Sequence, residues 1–502
     1  MHASPTLPRR RTRLLVALLA VPLATVIGLA TAQASPSATQ KPCDIYGSAG
    51  TPCAAAYSTT RAMFASYGGP LYQIQRASDS GTLNIGLASA GGVVNSAPQA
   101  AFCSGTTCTI TELYDQTPNG NNLTISPGSS CPGCSGSLHG PGANGADIGA
   151  NAMALPVTIG GQRAYGVLVN NIGTGYRDNA AWNVPTGAQP EGEYMVTSSM
   201  LTSGSCCFDF GSAETNDSDD GNATMNAIYY GSACWVGGCT GPGPWVGGDL
   251  ENGMYFSDNG RNPANITSET GSFVSAWEKN NGTTNFTLKY GNGQSGGLTT
   301  SYSGALPSGY NPMKVQPSIE LGTGGDNSPM GKGEFFEGAV TTGFPSDTTE
   351  NAVQANLASA GYAGNTTTFS TSTAVVSFRA HANGKYVDAA NSSTSLIADA
   401  TSVGTAETFD MVTNTDGTVN LRAHSDNQWV TAENNGAAPL IANRGGPGPW
   451  ETFYLIHNPD GSVSLRAYNN QLLVTAESAG ASALIANRTA IGPWEEFDLS
   501  TH

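Results

Sequence analysis

The sequence predicts an all-β protein: a large β-sandwich followed by a β-trefoil of three repeats. Two observations carry that prediction. The body of the chain is rich in glycine, 64 in 502 residues, with only 11% charged residues. Its apolar residues alternate over short runs between glycine-rich turns, the pattern of half-buried strands. The C-terminal part then repeats itself three times, at a period of about 43–44 residues, as repeated supersecondary units do. Helix-period stretches are scarce, and residues 350–360 form the best of them.

Taken in order, the N-terminus comes first. Arg9, Arg10, Arg11 and Arg13 precede an apolar run over 14–30, and Ala32-Gln33-Ala34 fits a small-residue cleavage site. This reads as a signal peptide over 1–34, hence a secreted, extracellular protein. A membrane anchor is the competing reading, since the run is near the lower limit for spanning a bilayer. The proline and glycine within it and the cleavage motif favour removal. Residues 35–365 form the sandwich, with Asn285-Phe286-Thr287-Leu288-Lys289-Tyr290 and Phe335-Phe336-Glu337-Gly338-Ala339-Val340 as representative strands; so many strands suggest two packed sheets. A Thr- and Ser-rich linker covers 366–374.

The trefoil occupies 375–502, with repeats at about 376–418, 419–462 and 463–502. Phe378-Arg379-Ala380-His381 returns as Leu421-Arg422-Ala423-His424 and Leu465-Arg466-Ala467-Tyr468. Phe409, Phe453 and Phe497 close the units. One copy cannot bury its apolar face alone, whereas three around a pseudo-threefold axis can; a propeller needs more blades. Carbohydrate binding and a docking or stabilising role both fit such an appendage. Trp429, His381 and His424 are the first residues to examine for a ligand.

After signal removal the chain carries 16 basic and 37 acidic residues, a net charge of −21. Its net field therefore holds neither nucleic acid nor an anionic membrane, but it suits an uncharged polysaccharide. The ten cysteines fall in successive close pairs: Cys43 and Cys53, Cys103 and Cys108, Cys131 and Cys134, Cys206 and Cys207, Cys234 and Cys239. Behind a signal peptide an even count reads as disulfides, although spacing does not fix connectivity. Zinc at Cys131-Pro132-Gly133-Cys134 needs further ligands, and only His139 is near. No metal and no cofactor are expected, and the chain is expected to be monomeric.

Chemistry is concentrated in Asp249-Leu250-Glu251-Asn252-Gly253 and in Gly324-Gly325-Asp326-Asn327-Ser328. Each sets a carboxylate among glycines, where backbone approaches a ligand closely. Two carboxylates from distant segments are the minimum equipment for cleaving a glycosidic bond. Together with Cys206-Cys207-Phe208-Asp209-Phe210-Gly211-Ser212-Ala213-Glu214-Thr215, these motifs closely resemble glycoside hydrolase family 54, the α-L-arabinofuranosidases, over about residues 43–362. The resemblance implies a β-sandwich and a retaining mechanism, with Glu251 as nucleophile and Asp326 as general acid/base. The carboxyls are then expected about 5–5.5 Å apart, with the pKa of Asp326 raised by the neighbouring charge.

The resemblance further implies sugar contacts from Asp249, Asn252, Gly253 and Gly325, and bridges Cys43–Cys53, Cys103–Cys108 and Cys206–Cys207, the last forming an apolar face under the sugar. The pairs Cys131–Cys134 and Cys234–Cys239 rest on proximity. Trp235 stands one residue from the family's substrate-facing tryptophan, with Trp245 as its competitor. The trefoil is a departure: its letters resemble fascin-like trefoils, and the family's usual arabinose-binding module of family 42 is not evident.

Scarcity excludes other chemistries. Between the signal and the linker there is one histidine, His139, so a Ser-His-Asp triad or a His-rich metal site has little to draw on. The expected activity is exo-acting release of terminal α-L-arabinofuranosyl residues from arabinan, arabinoxylan or related plant cell-wall polysaccharides and arabino-oligosaccharides. The alternatives are a lectin-like protein with an inactive sandwich, and a retaining hydrolase for terminal xylose or galactofuranose.

Overall fold

The computed structural model describes residues 40–502 apart from 77–78, 105, 107, 128–139, 141–145, 171–172, 366–371, 415–417, 459 and 471. The expected signal peptide, most of the expected linker, and Cys131, Cys134 and His139 lie outside the described residues. No described helix is long and apolar enough to cross a membrane.

Residues up to Ala363 form the sandwich. One antiparallel sheet has six strands, in the order Cys53–Ser58, Glu337–Thr342, Glu191–Thr197, Val274–Asn280, Phe286–Asn292 and Ser295–Gly304. The facing sheet has ten. It runs from Met254–Tyr255 through Trp245–Asp249, Asn226–Gly231, Asp209–Ala213, Ser318–Leu321 and Tyr176–Asp178 to Thr82–Gly86 at the far edge. Phe210 joins the layers, packing on Phe335 at 5.3 Å and edge-on to Tyr57 at 6.2 Å.

The central strands Glu191–Thr197 and Val274–Asn280 are buried at every position, because both faces of their sheet are covered. On the outer face Tyr194 stacks on its cross-strand partner Trp277 at 4.8 Å, a pairing that stabilises neighbouring strands. The helix Asp347–Ala358 lies over that side, clamped by Lys279 and Lys289, whose Nζ atoms both reach Asp347 (2.7 Å) and Glu350 (2.9 and 2.5 Å). On the inner face the cross-strand pair Glu193 and Glu278 points at the other sheet. Glycines receive them: a Cβ on Gly211 would fall 2.5 Å from Glu193 Oε2, and one on Gly248 2.8 Å from Glu278 Oε1. Burial pushes both carboxyls well above the usual range and raises Glu191 to about 8.

Two local expectations shift. The run 335–340 is not one strand: Gly333–Phe335 pairs with Val167–Val169, and Glu337–Thr342 joins the six-stranded sheet. The break falls at Phe336, whose N–H donates to Val196 O and whose carbonyl accepts from Thr59 N, both at 3.0 Å. The helix expected over 350–360 begins at Asp347, because Ser346 Oγ accepts from Thr349 N at 3.2 Å and caps it.

The C-terminal part is a β-trefoil. Strands Ser372–Ala380, Phe409–Thr413, Val419–Ala423, Thr452–His457, Val463–Ala467 and Phe497–Thr501 pair in sequence and close on themselves as a six-stranded barrel. Three hairpins cap one end: Tyr386–Asp388 with Ile397–Ala400, Trp429–Ala432 with Leu440–Arg444, and Leu473–Thr475 with Ile485–Arg488. At the axis Leu396 N donates to Leu440 O, Leu440 N to Leu484 O, and Leu484 N to Leu396 O, each at 2.8 Å. Phe378, Phe409, Phe453 and Phe497 fill the shared core.

The trefoil sits against the sandwich. Ile148 packs with Ile456, Leu473 and Ile491. Thr109 Oγ1 donates to Asn458 O at 3.0 Å, and Asn151 Nδ2 lies 3.0 Å from His457 Nε2.

Candidate active site

At one end of the ten-stranded sheet a cavity of about 100 Å³ is lined by Cys206, Cys207, Trp235, Asp249, Glu251, Asn252, Gly325 and Asp326, with Asp219, Met225 and Ser328. The first eight are residues singled out from sequence; the last three are not.

Glu251 is presented by a tight turn that ends strand Trp245–Asp249. Leu250 N donates to Gly253 O at 3.1 Å and Gly253 N to Glu251 O at 2.7 Å. This folds Glu251 into the left-handed region, φ 81°, where residues with a Cβ are strained. Asp249 supports it, Oδ1 accepting from Glu251 N at 3.2 Å. Gly253 closes this turn and is not part of the cavity wall; a Cβ on it would fall 2.4 Å from the Tyr255 ring. The Asn252 amide lies against the Asp219 carboxylate, and with its nitrogen set toward those oxygens it donates to them at 2.7 and 3.2 Å.

Asp326 stands on the loop that follows strand Ser318–Leu321. Its Oδ1 accepts from Ser328 N at 3.0 Å and from Ser328 Oγ. Buried Arg177 holds this loop: Nη1 donates to the carbonyls of Gly324 and Gly325 and to Glu320 Oε2, all at 2.9 Å. Gly325 must be glycine, since a Cβ there would lie 2.1 Å from Glu214 Oε2 and 2.8 Å from Glu251 Oε2.

Cys206 and Cys207 are bridged to each other across a cis peptide. The ring is stitched to the Asp326 loop by Met330 N donating to Cys206 O (3.2 Å) and Cys207 N donating to Ser328 O (3.3 Å). Cys207 Sγ lies 3.6 Å from Asp249 Oδ2. Trp235 is half exposed at the cavity rim, whereas Trp245 is buried against Phe256 at 5.3 Å and does not line the cavity. Bridges also join Cys43–Cys53, Cys103–Cys108 and Cys234–Cys239.

The site is strongly acidic. Burial raises Glu251 above the usual carboxylate range, and a charge on the neighbouring Glu214, with which it shares a hydrogen bond, would raise it further; burial also raises Glu214. Asp249 and Asp209 are raised by burial and then by nearby carboxylates. A cation finds little here. The sulfurs of Cys206 and Cys207 lie within 4.8 Å of Asp209 and Asp249 oxygens, but a disulfide offers no thiolate. A second cluster, His381, Asp460 and Glu496, is on the trefoil surface.

Sequence reasoning missed Arg177, Asp219 and Glu214. Glu214 stood inside the motif that carries the resemblance, so its signal was present. Arg177 had none, since only the fold brings it under the Asp326 loop.

Several buried carboxylates gathered around a small cleft of a β-sandwich are the equipment that glycosidic-bond cleavage requires, which places the domain with the glycoside hydrolases in chemical kind. The family profile described as "Alpha-L-arabinofuranosidase B, catalytic" matches residues 42–363, and the chain belongs to that family. A probable alpha-L-arabinofuranosidase B of Aspergillus terreus is 50% identical over 324 residues, 64% of this chain and 62% of the relative. An arabinofuranosidase/B-xylosidase of Trichoderma koningii is 50% identical over 324 residues, 64% of this chain and 63% of the relative. The match to these curated relatives thus spans less than two thirds of their length. Among solved structures, an arabinofuranosidase complexed with arabinofuranosyl-alpha-1,2-xylobiose superposes with a TM-score of 0.66 at 35% identity, covering 92% of this chain and 99% of that one. A family 54 α-L-arabinofuranosidase soaked with a cyclic sulfate inhibitor gives 0.66 at 34% identity, with the same coverage.

Proposed function

We propose that the protein is a secreted, retaining, exo-acting α-L-arabinofuranosidase that releases terminal arabinofuranosyl groups from arabinan, arabinoxylan or related cell-wall polysaccharides. The observation that carries the reading is Glu251 and Asp326 entering one small cavity from different loops, with the Cys206–Cys207 ring as its wall. A cavity of about 100 Å³ takes a single terminal residue rather than a threaded chain, which supports exo action.

In the proposed reaction a Glu251 oxygen forms an ester bond to the anomeric carbon while the bond from that carbon to the aglycone oxygen breaks. Asp326 gives its proton to the departing oxygen. Water then attacks the same carbon, Asp326 takes its proton, and the ester bond breaks to restore Glu251. Asp249 accepts from furanose hydroxyls and Asn252 donates; the disulfide and Trp235 supply apolar surface. The trefoil is proposed to hold the enzyme on polymer.

The name of the Trichoderma koningii relative favours a second reading, in which terminal xylose is also accepted. Hydrolysis of 4-nitrophenyl α-L-arabinofuranoside beside the xyloside and the galactofuranoside tests both. The arabinoside is expected to be turned over best, and no turnover of any of them would leave the lectin-like alternative.

A further inference from the structure

Glu214 has no part in two-carboxylate chemistry, yet it touches the proposed nucleophile. It follows strand Asp209–Ala213 and is fully buried, and its Oε1 accepts from Thr224 Oγ1 at 2.6 Å. Its Oε2 has no donor from any neutral or cationic group. What it meets is Glu251: the carboxyls share a hydrogen bond, and their Oε2 atoms flank the same empty point beside Gly325. Two carboxyl groups can share a hydrogen bond only when one carries a proton, since an ionised carboxylate accepts only.

The surroundings decide where that proton rests. Arg177 approaches from strand Tyr176–Asp178, with Glu320 and Asp217 already on it at 2.9 Å. Glu320 from strand Ser318–Leu321, Asp249 from strand Trp245–Asp249, and Asp219 and Asp326 from their loops surround the pair with further carboxyls, and burial already holds Asp249 and Glu320 above the usual range. Ionising both members of the pair is therefore strongly disfavoured. Of the two, Glu214 is fully sealed while Glu251 faces the cavity, so the charge belongs on Glu251 and the proton on Glu214.

We propose that Glu214 is a positioning residue: protonated, it donates a hydrogen bond to the Glu251 carboxylate, holding that carboxylate ionised and aimed into the cavity. This rests on the reading of Glu251 as nucleophile. Glu251 then accepts at once from Glu214 and presents its other oxygen to the sugar. The same donor stabilises Glu251 as it leaves in the second step.

Glu214→Met removes the donor at similar volume, and Glu214→Gln keeps a donor without a titrating group. With 4-nitrophenyl α-L-arabinofuranoside, the folded Met variant is expected to lose about 10–100-fold in kcat, the scale of one charge-assisted hydrogen bond. The acid limb of its kcat/KM profile should move up by about one pH unit or more, because a nucleophile without its donor holds its proton more tightly. The Gln variant should recover most of both. An unmoved acid limb with wild-type kcat in the Met variant overturns the proposal, and so does a Gln variant no better than Met.

Should the Met variant fail to fold, infrared difference spectra decide independently of activity: wild type at neutral pH should show the carbonyl band of a protonated acid that Glu214→Gln lacks, and its absence overturns the proposal. The reading of Glu251 is tested separately, by azide rescue of Glu251→Ala with inverted product. Azide rescue of that kind in Glu214→Ala instead would make Glu214 the nucleophile and overturn both.

Discussion

A side chain held at φ 81° is a costly way to present a carboxylate, by about 1–3 kcal/mol, and Glu251 is held there by the Gly253 turn and the Asp249 carboxylate. Glu251→Gln leaves those contacts in place, so it should fold normally while turnover drops at least about a hundredfold; Asp326→Asn should do the same. Azide should rescue small-residue variants at 251 with inverted product and at 326 with retained product. Near-wild-type turnover in either amide variant would remove that residue from the mechanism. Gly325→Ala provides a contrast with no change in charge. Its methyl would enter the space between Glu214 and Glu251, so kcat should fall by more than about tenfold, with a loss of melting temperature that neither amide variant shows.

At this scale the sequence exposed the carboxylates and glycines that sit in short motifs, because each is positioned by its immediate neighbours. It hid Arg177, whose partners at Gly324 and Gly325 are more than a hundred residues away. It also drew Gly253 into the sugar site, although the Tyr255 ring stands against it and its N–H is spent on Glu251.

Among elements, the Cys206–Cys207 ring and the Asp326 loop behave as one unit, tied by backbone hydrogen bonds at Cys207 and Met330. A ring closed over two residues adds little loop-closure entropy, so replacing both cysteines with serine should cost little melting temperature. The cavity wall would change from sulfur to hydroxyl, and KM for the arabinoside should rise several-fold. A large loss of melting temperature with unchanged KM would assign the ring to folding alone. Strand identity was legible where alternation was clean, as in Phe286–Asn292. It was misread at 335–340 because Phe336 is buried on both sides and alternation does not mark a break there. The helix start was legible in principle from Ser346, three residues ahead of Thr349, but periodicity alone pointed later.

For the whole molecule, pH and domain contact matter most. Glu191 and Asp147 are raised to about 8, and Glu269 to about 7, all chiefly by burial. Folded carboxyls with raised pKa bind more protons than the unfolded chain, whose carboxyls titrate near 4. They cost nothing below that pH and erode stability as pH rises from about 4 to 8, by about 1.4 kcal/mol per unit for each group. His457, lowered to about 4 by burial at the trefoil contact, works the other way: its contribution is intact above about 6.5 and fades as pH falls toward 4. Melting temperature measured from pH 4 to 9 should therefore decline on the alkaline side, and a rise there would contradict the buried-acid account.

Truncation after Asn365 should preserve kcat on the aryl arabinoside, since the cavity is lined only by residues of the sandwich; adsorption to insoluble arabinose-bearing polymer should be lost. Abolished cleavage in a folded truncation would mean that the trefoil helps build the site. The repeats themselves were plain in sequence, but their contact with Ile148, Thr109 and Asn151 was not. No local pattern marks a surface that becomes buried only when two folded bodies meet.

The three leucines at the trefoil axis form a closed circuit in which each is both donor and acceptor for a different repeat. Such a circuit has no terminal member. A chain cut within the third repeat would not keep two thirds of the barrel's strength: Leu396 would lose its donor, Leu440 its acceptor, and the shared core a full wall. The C-terminal part should thus be present whole or not at all, and removal of the chain beyond residues 478–482, which takes Leu484 away, should unfold the rest of the barrel in one cooperative step. By the same logic the three units are interchangeable in order, so chain ends moved from one repeat boundary to the next should leave the barrel standing.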